Sequence, residues 1–235
     1  MSTITTNQNR PIGPEVPANP ALRPERRTLD GRFVTLLPLE AADHADDLFD
    51  AAGGLDRAPL WDYMPDGPFP DRQAFREHIA RKAQSADPLF YAILDKTSGK
   101  AVGHATLMRI DTANRVIETG NILFSPLLQQ KPGATESMYL LARYVFDELG
   151  YRRYEWKCND LNAPSKTAAA RLGFTFEGVF RQHMIVKGRN RDTAWFSMLD
   201  TEWPAVKRAF EAWLAPENFD TDGRQRQSLA AVRAS

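Results

Sequence analysis

The stretch Glu118–Glu136, ETGNILFSPLLQQKPGATE, decides the fold around it. Val116 to Phe124 reads as a strand, Ser125-Pro126 as a short kinked connection, and the Gln-, Lys- and Gly-containing run after it as a loop. A long helix follows, from about Gly133 to Leu149. The first turn of such a helix has unpaired N–H groups pointing outward, and the helix dipole favours an anion there. Gly133 and Ala134 are small enough for a ligand to approach that backbone. An ordinary strand-to-helix connection has the same pattern, so this stretch alone leaves both readings open.

A second block separates them. Gln129-Gln130-Lys131-Pro132-Gly133-Ala134-Thr135-Glu136 resembles the pyrophosphate loop of GCN5-related N-acetyltransferases (GNAT), Gln/Arg-x-x-Gly-x-Gly/Ala, with Pro132 where the first Gly is usual. That proline removes one N–H donor. Further on, Asn162-Ala-Pro-Ser165 through Leu172-Gly173-Phe174 is similar to the family's Asn-x-x-Ser…Leu-Gly-Phe segment, and Ser165 resembles the RimJ/RimL-like branch. The two blocks stand in family order and spacing, and the likeness covers roughly residues 30 to 200.

The resemblance implies an α+β fold with a mixed, mostly antiparallel sheet flanked by helices and splayed central parallel strands. It implies acetyl-CoA as co-substrate, its pantetheine arm entering the splay, which the kink at Ser125-Pro126 would help open because proline cannot complete a ladder. The loop residues Gln129, Gln130, Lys131, Gly133, Ala134 and Thr135 would hold the pyrophosphate, and Asn162 and Ser165 the arm. Glu118, eleven residues before Gln129, stands where a glutamate acts as base in several relatives; a strand glutamate that pairs with a lysine or arginine across the sheet has the same pattern, so both readings stay open. Many members place a tyrosine four positions before the Gly-Phe pair to protonate the thiolate. Here that position is Ala169, and Ser165 is the nearest hydroxyl in a matching place. The implied activity is N-acetyl transfer to a primary amine, either a protein N-terminus or a small amine. The alternative is a non-catalytic acyl-CoA-binding or interaction module on the same fold.

Composition narrows the field. The 235 residues are 43% hydrophobic, enough for one well-filled domain. Thirty basic and thirty acidic residues cancel, so charge gives no argument for nucleic acid or an anionic membrane. A single cysteine excludes an intrachain disulfide and suits a reducing cytoplasm. No apolar run approaches membrane-spanning length. The histidines, His44, His78, His104 and His183, lack metal-ligand spacing, so no metal is expected. Nothing in the sequence sets the oligomeric state.

Around the deciding stretch, residues 1–28 are rich in Pro, Asn and charge and read as a flexible arm. Residues 29–214 read as the domain, and 215–235 return to tail composition. The spacing predicts a strand over Arg32–Leu37, a helix over Glu40–Ala52, and a helix capped by Asp71 and running to about Ser85. Between those helices, the Pro-punctuated loop carries Trp61, Tyr63 and Met64. By the resemblance it borders the acceptor pocket, although aromatics there equally plug a core edge. Leu89–Leu94 and Ala101–Ile110 form a hairpin, with His104 expected as a sheet residue whose ring is partnered.

In Arg153–Cys158, Tyr154, Trp156 and Cys158 share one face and Arg153, Glu155 and Lys157 the other. As the end of a strand–helix–strand crossover, this strand should lie parallel to Val116–Phe124. Cys158 reads as packing. Asn162 is a good N-cap for the next helix. Phe174–Val186 and Arg191–Asp200 form a long hairpin around Lys187-Gly-Arg-Asn190, whose basic residues Lys187, Arg189 and Arg191 could attract an anion but read first as solvated turn charge. An amphipathic helix over Thr201–Leu214 ends the domain.

Overall fold

The computed structural model describes residues 12–234. Strands β1 (Leu29–Asp30) and β2 (Val34–Pro38) lead into helix α1 (Ala41–Ala52), a 3₁₀ segment at Leu55–Trp61, and α2 (Arg72–Ala83). Then come β3 (Leu89–Asp95), β4 (Ala101–Asp111), β5 (Val116–Phe124), α3 (Pro132–Arg143) and β6 (Arg153–Asn159). The chain continues through α4 (Ala163–Leu172), β7 (Thr175–Val186), β8 (Arg189–Leu199), α5 (Trp203–Leu214) and α6 (Leu229–Ala234). The strands form one sheet in the order β1-β2-β3-β4-β5-β6-β8-β7. Every neighbouring pair is antiparallel except β5 and β6.

The two faces of the sheet have separate cores. Leu39, Leu48, Trp61, Phe75, Ile79 and Phe90 pack under α1 and α2. On the other face, Ile117, Leu141, Val145, Tyr154, Trp156 and Phe210 pack under α3, α4 and α5. Local signals hold as expected at both caps. Asp71 accepts the Ala74 N–H at 2.8 Å, and Asn162 Oδ1 accepts the Ser165 N–H at 3.1 Å. The β7–β8 turn is tighter than expected, with only Lys187 and Gly188 between the strands. Their φ values of 50° and 71° are the paired positive angles that a two-residue hairpin needs.

Four expectations are corrected. The helix after Pro132 does not continue regularly to Leu149: Tyr144–Glu148 widen into a π turn, in which the Leu149 N–H reaches the Tyr144 carbonyl at 3.1 Å. The parallel strands do not separate at Ser125-Pro126. Their pairing stops after Thr119–Trp156, five residues earlier than the end of β5. The cause is a β-bulge: Thr106 pairs with Gly120 and His104 with Leu123, so β5 carries one extra residue, and Asn121 takes φ 46°.

The ring of His104 is not partnered. It is 0% exposed, and neither ring nitrogen has a hydrogen-bond partner. The segment after Leu214 is docked rather than a tail. Leu229 is buried, Asn218 donates to the Trp213 carbonyl at 2.8 Å, and Arg233 donates to the carbonyls of Ala170 and Arg171 at the end of α4.

At the other end, the residues before β1 lie along the protein as an arm. The Ala21 N–H bonds to Thr112 at 3.0 Å and that of Leu22 to Leu149 at 2.9 Å. Arg26 reaches the Leu39 carbonyl and Glu40. Residues 1–11 lie outside the described residues.

Candidate active site

The bulge at Asn121 turns the end of β5 away from β6, opening a wedge between Gly120–Phe124 and Lys157–Asn159. Among the described residues, the facing edges have no strand partner within the wedge, so their backbone groups are open to an extended ligand. Side chains from the two sheet faces meet at this opening. Glu118 is opposite Glu155 in the parallel register, on the face away from Ile117 and its core. Ser165 comes from α4 on the opposite face, where its Oγ accepts the Trp156 Nε1–H at 3.0 Å. The two sequence-predicted catalytic residues thus flank the wedge from either side.

Glu118 is 5% exposed. Its Oε2 faces Lys157 Nζ at 2.9 Å and Arg109 Nε at 3.5 Å. The same ammonium reaches Glu155 at 2.7 Å and lies 3.8 Å from the centre of the Trp195 ring. Burial pushes the Glu118 carboxyl above the usual carboxylate range; Lys157 and Arg109 oppose that shift without cancelling it. Oε1 lies on the Gly120 side, 3.4 Å from where a Cβ at that glycine would stand. Lys157 and Arg109 therefore anchor one oxygen, and the other lies beside Gly120, the first β5 residue past the last β5–β6 pair. Alternation along β6 put Lys157 and Glu155 on one face, but their meeting with Glu118 depends on the crossover.

At the anion end, the sequence-predicted loop residues gather at the start of α3. The N–H groups of Gln129, Lys131 and Ala134 bond within the loop, to the carbonyls of Ser125, Leu128 and Lys131. Among the described residues, no intramolecular acceptor takes the N–H of Gln130 or Gly133, and with that of Thr135 in the first turn of α3 they make three amides at this helix start. These three amides form a cradle with the helix dipole behind them. Gly133 serves a different purpose from the one expected. A Cβ there would meet Val34 Cγ1 at 2.7 Å, so its small size lets α3 pack on β2 rather than admit a ligand. Gln129 is tied down by its side chain, which donates to the Phe124 carbonyl at 2.8 Å.

Sequence reasoning missed Arg171. It donates to Thr135 Oγ1 at 2.9 Å and lies over the Trp213 ring, with no carboxylate in ion-pair contact among the described residues. Burial alone holds its guanidinium below the usual arginine range. A cation without a counter-charge beside an amide cradle fits a phosphate group. No sequence signal marked it, because the contact joins residues from two separate helices.

The aromatic loop residues divide. Trp61 is 0% exposed, with its Nε1–H on the Ala52 carbonyl at 2.8 Å, and Met64 is buried in the same core. Of the two readings open for them, both side chains take core packing, because the loop folds inward onto α2. Tyr63 is 42% exposed, and its hydroxyl donates to the Leu161 carbonyl at 3.1 Å. The hairpin lysine is also not simply solvated: Lys187 Nζ donates to the Trp61 carbonyl at 2.7 Å. Cys158 is buried beside Ser165, and burial pushes its thiol up. Among the described residues, no group of His, Cys, Asp and Glu is placed to hold a metal ion.

The splayed parallel strands with a helix N-terminus at their mouth are the arrangement that the resemblance implied for an acetyl-CoA-dependent acetyltransferase. The chain belongs to the GNAT acetyltransferase domain family, whose model matches residues 34–175, more than half of its length.

A GCN5-related N-acetyltransferase from Brucella melitensis superposes with a TM-score of 0.90 at 52% identity, covering 92% of this chain and 98% of that one. A Chromobacterium violaceum protein described as a GNAT-family acetyltransferase reaches 0.75 at 40% identity, over 83% and 100% of the two chains. Among curated proteins, YdaF of Bacillus subtilis, provisionally named a ribosomal N-acetyltransferase, is 29% identical over 46% of this chain. The match takes in 59% of YdaF's own length. No helix among the described residues is long and apolar enough to cross a membrane.

Proposed function

We propose that this protein transfers the acetyl group of acetyl-CoA to a primary amine by direct attack, with Glu118 as general base and Ser165 as proton donor to the departing thiolate. The observation that supports this reading is the early end of β5–β6 pairing, with Glu118 Oε1 beside Gly120 on one sheet face and Ser165 on Trp156 on the other. When bound, acetyl-CoA supplies an activated thioester.

The chain's residues do the rest. The amides of Gln130, Gly133 and Thr135, with Lys131 and Arg171 beside them, bind phosphate oxygens. The open strand edges align the pantetheine arm, near the Asn162-capped start of α4. Glu118 removes a proton from the incoming amine through Oε1 while Lys157 and Arg109 fix Oε2. The Ser165 Oγ already accepts an N–H from Trp156, so its own proton is left to donate. Acceptor identity divides into a protein N-terminus, as the name of YdaF suggests for that relative, and a small amine.

The test is thiol release from acetyl-CoA across an amine panel, measured beside CoA binding by calorimetry. Binding without release on any amine would favour a non-catalytic CoA module instead. Two variants probe the parts. Ser165→Ala should lower kcat by about tenfold or more while leaving acetyl-CoA affinity within a few-fold. An unchanged kcat assigns thiolate protonation to solvent. Arg171→Ala should weaken acetyl-CoA binding by about tenfold, with a shallower salt dependence than wild type. Unaltered affinity and salt dependence remove Arg171 from the phosphate site.

A further inference from the structure

Resting on the acetyltransferase reading, we infer that the acceptor is a small primary amine carrying an anionic group, a carboxylate or a phosphate, and that Arg191 binds that group. Arg191 is on β8, two residues beyond the last β6–β8 pair, Asn159–Thr193. It has no β6 neighbour and borders the end of the wedge, within electrostatic reach of Glu118 and Cys158. Its guanidinium makes no ion pair among the described residues, and its buried Nε has no hydrogen-bond partner. On the same strand face, the buried Nε1 of Trp195 also lacks an acceptor. The nearby acids are committed elsewhere: Glu118 and Glu155 to Lys157, and Asp192 to the Gln182 N–H and Asn190.

Buried donors without acceptors are rare in folded proteins, and each costs free energy until a partner arrives. Two of them on the face that carries the base call for an acceptor-rich, negatively charged group. Arginine's planar fork suits a carboxylate or a phosphate. The size limit comes from two bridges over this side of the wedge. Tyr63 joins the α1–α2 segment to Leu161 in the β6–α4 loop, and Lys187 joins the β7–β8 turn to Trp61. Both tie loops together over this side of the wedge, an enclosure that favours a small acceptor.

The experiment uses full-length protein, acetyl-CoA and matched acceptors: alanine against alaninamide, phosphoethanolamine against ethanolamine, and a neutral tetrapeptide amide. The anionic member of at least one pair should show kcat/KM about 10- to 100-fold higher than its neutral partner. Carboxylate and phosphate arms identify which anion is read. In Arg191→Gln that ratio should fall towards one, while Arg191→Lys should retain part of it. Calorimetry of the preferred anionic amine with CoA present gives a readout independent of turnover, and binding should be lost in Arg191→Gln.

Neutral amines or the tetrapeptide preferred over both anionic acceptors would overturn the inference and leave acetyl transfer standing. So would a preference that survives Arg191→Gln. No turnover and no anionic-amine binding, with CoA still bound, would overturn both readings.

Discussion

Glu118→Gln is expected to lower kcat/KM at pH 7 by about 10²–10⁴-fold, the usual worth of a general base. The amide keeps the shape of the side chain, and Lys157 retains Glu155 at 2.7 Å, so acetyl-CoA affinity should stay within a few-fold of wild type. Part of the rate should return at high pH. A lysine-type amine has a pKa of about 10.4 and an α-amino group about 7.7, so alkaline solution supplies free amine without a base.

Wild-type enzyme should lose kcat/KM on acidification through a group titrating above about 4.3, the ordinary glutamate value, because burial raises this carboxyl. The variant should lack that limb. Stability has its own sign. A folded-state pKa above the unfolded one means the folded state holds the proton more tightly, so Glu118's contribution falls as pH rises through that interval. Glu118→Gln removes this slope. Pre-steady-state and steady-state rates over pH 5–10 check the prediction, and a wild-type profile in the variant would take Glu118 out of the mechanism.

The second large effect concerns stability and begins at Glu136, in the second turn of α3. Its buried carboxylate accepts three backbone N–H groups from the β1–β2 turn: Arg32 at 2.7 Å, Phe33 at 2.6 Å and Val34 at 2.9 Å. The turn is built for it, since a Cβ at Gly31 would stand 2.5 Å from the carboxyl carbon. Glu136→Ala strands these donors and should cost about 3–5 kcal/mol. In urea, the midpoint should drop with the slope unchanged.

Because this bond network fixes the N-terminus of α3 against β2, acetyl-CoA affinity should fall with it. Gly31→Ala, which pushes on the same carboxylate, should reproduce the direction at smaller size. A loss below about 1 kcal/mol in Glu136→Ala would show that the turn holds without the carboxylate.

Local patterning carried much of this architecture. Strict alternation in Arg153–Cys158 gave that strand its two faces, and the strand–helix–strand order made it parallel to β5. Asp71 and Asn162 capped helices because a short oxygen-bearing side chain at that position satisfies a first-turn N–H whatever lies further away. The same period of two pointed Glu118 away from Ile117 and its core. These features depend on neighbours a few residues apart, and such neighbours are written next to one another in the chain.

Tertiary structure alone decided the rest. Where the parallel strands part depends on register with β4, which forces the extra residue at Asn121, and not on the conspicuous proline at 126. Trp61 and Met64 became core because α2 packs beneath their loop, whereas aromatic content alone fits a core or an open site equally. Arg171 beside Thr135, Lys157 beside Glu118, Arg191 without a counter-ion and Glu136 under the β1–β2 turn all join or separate distant segments. A charge's chemistry is set by the groups within a few ångströms of it, and folding chooses those groups from anywhere in the chain.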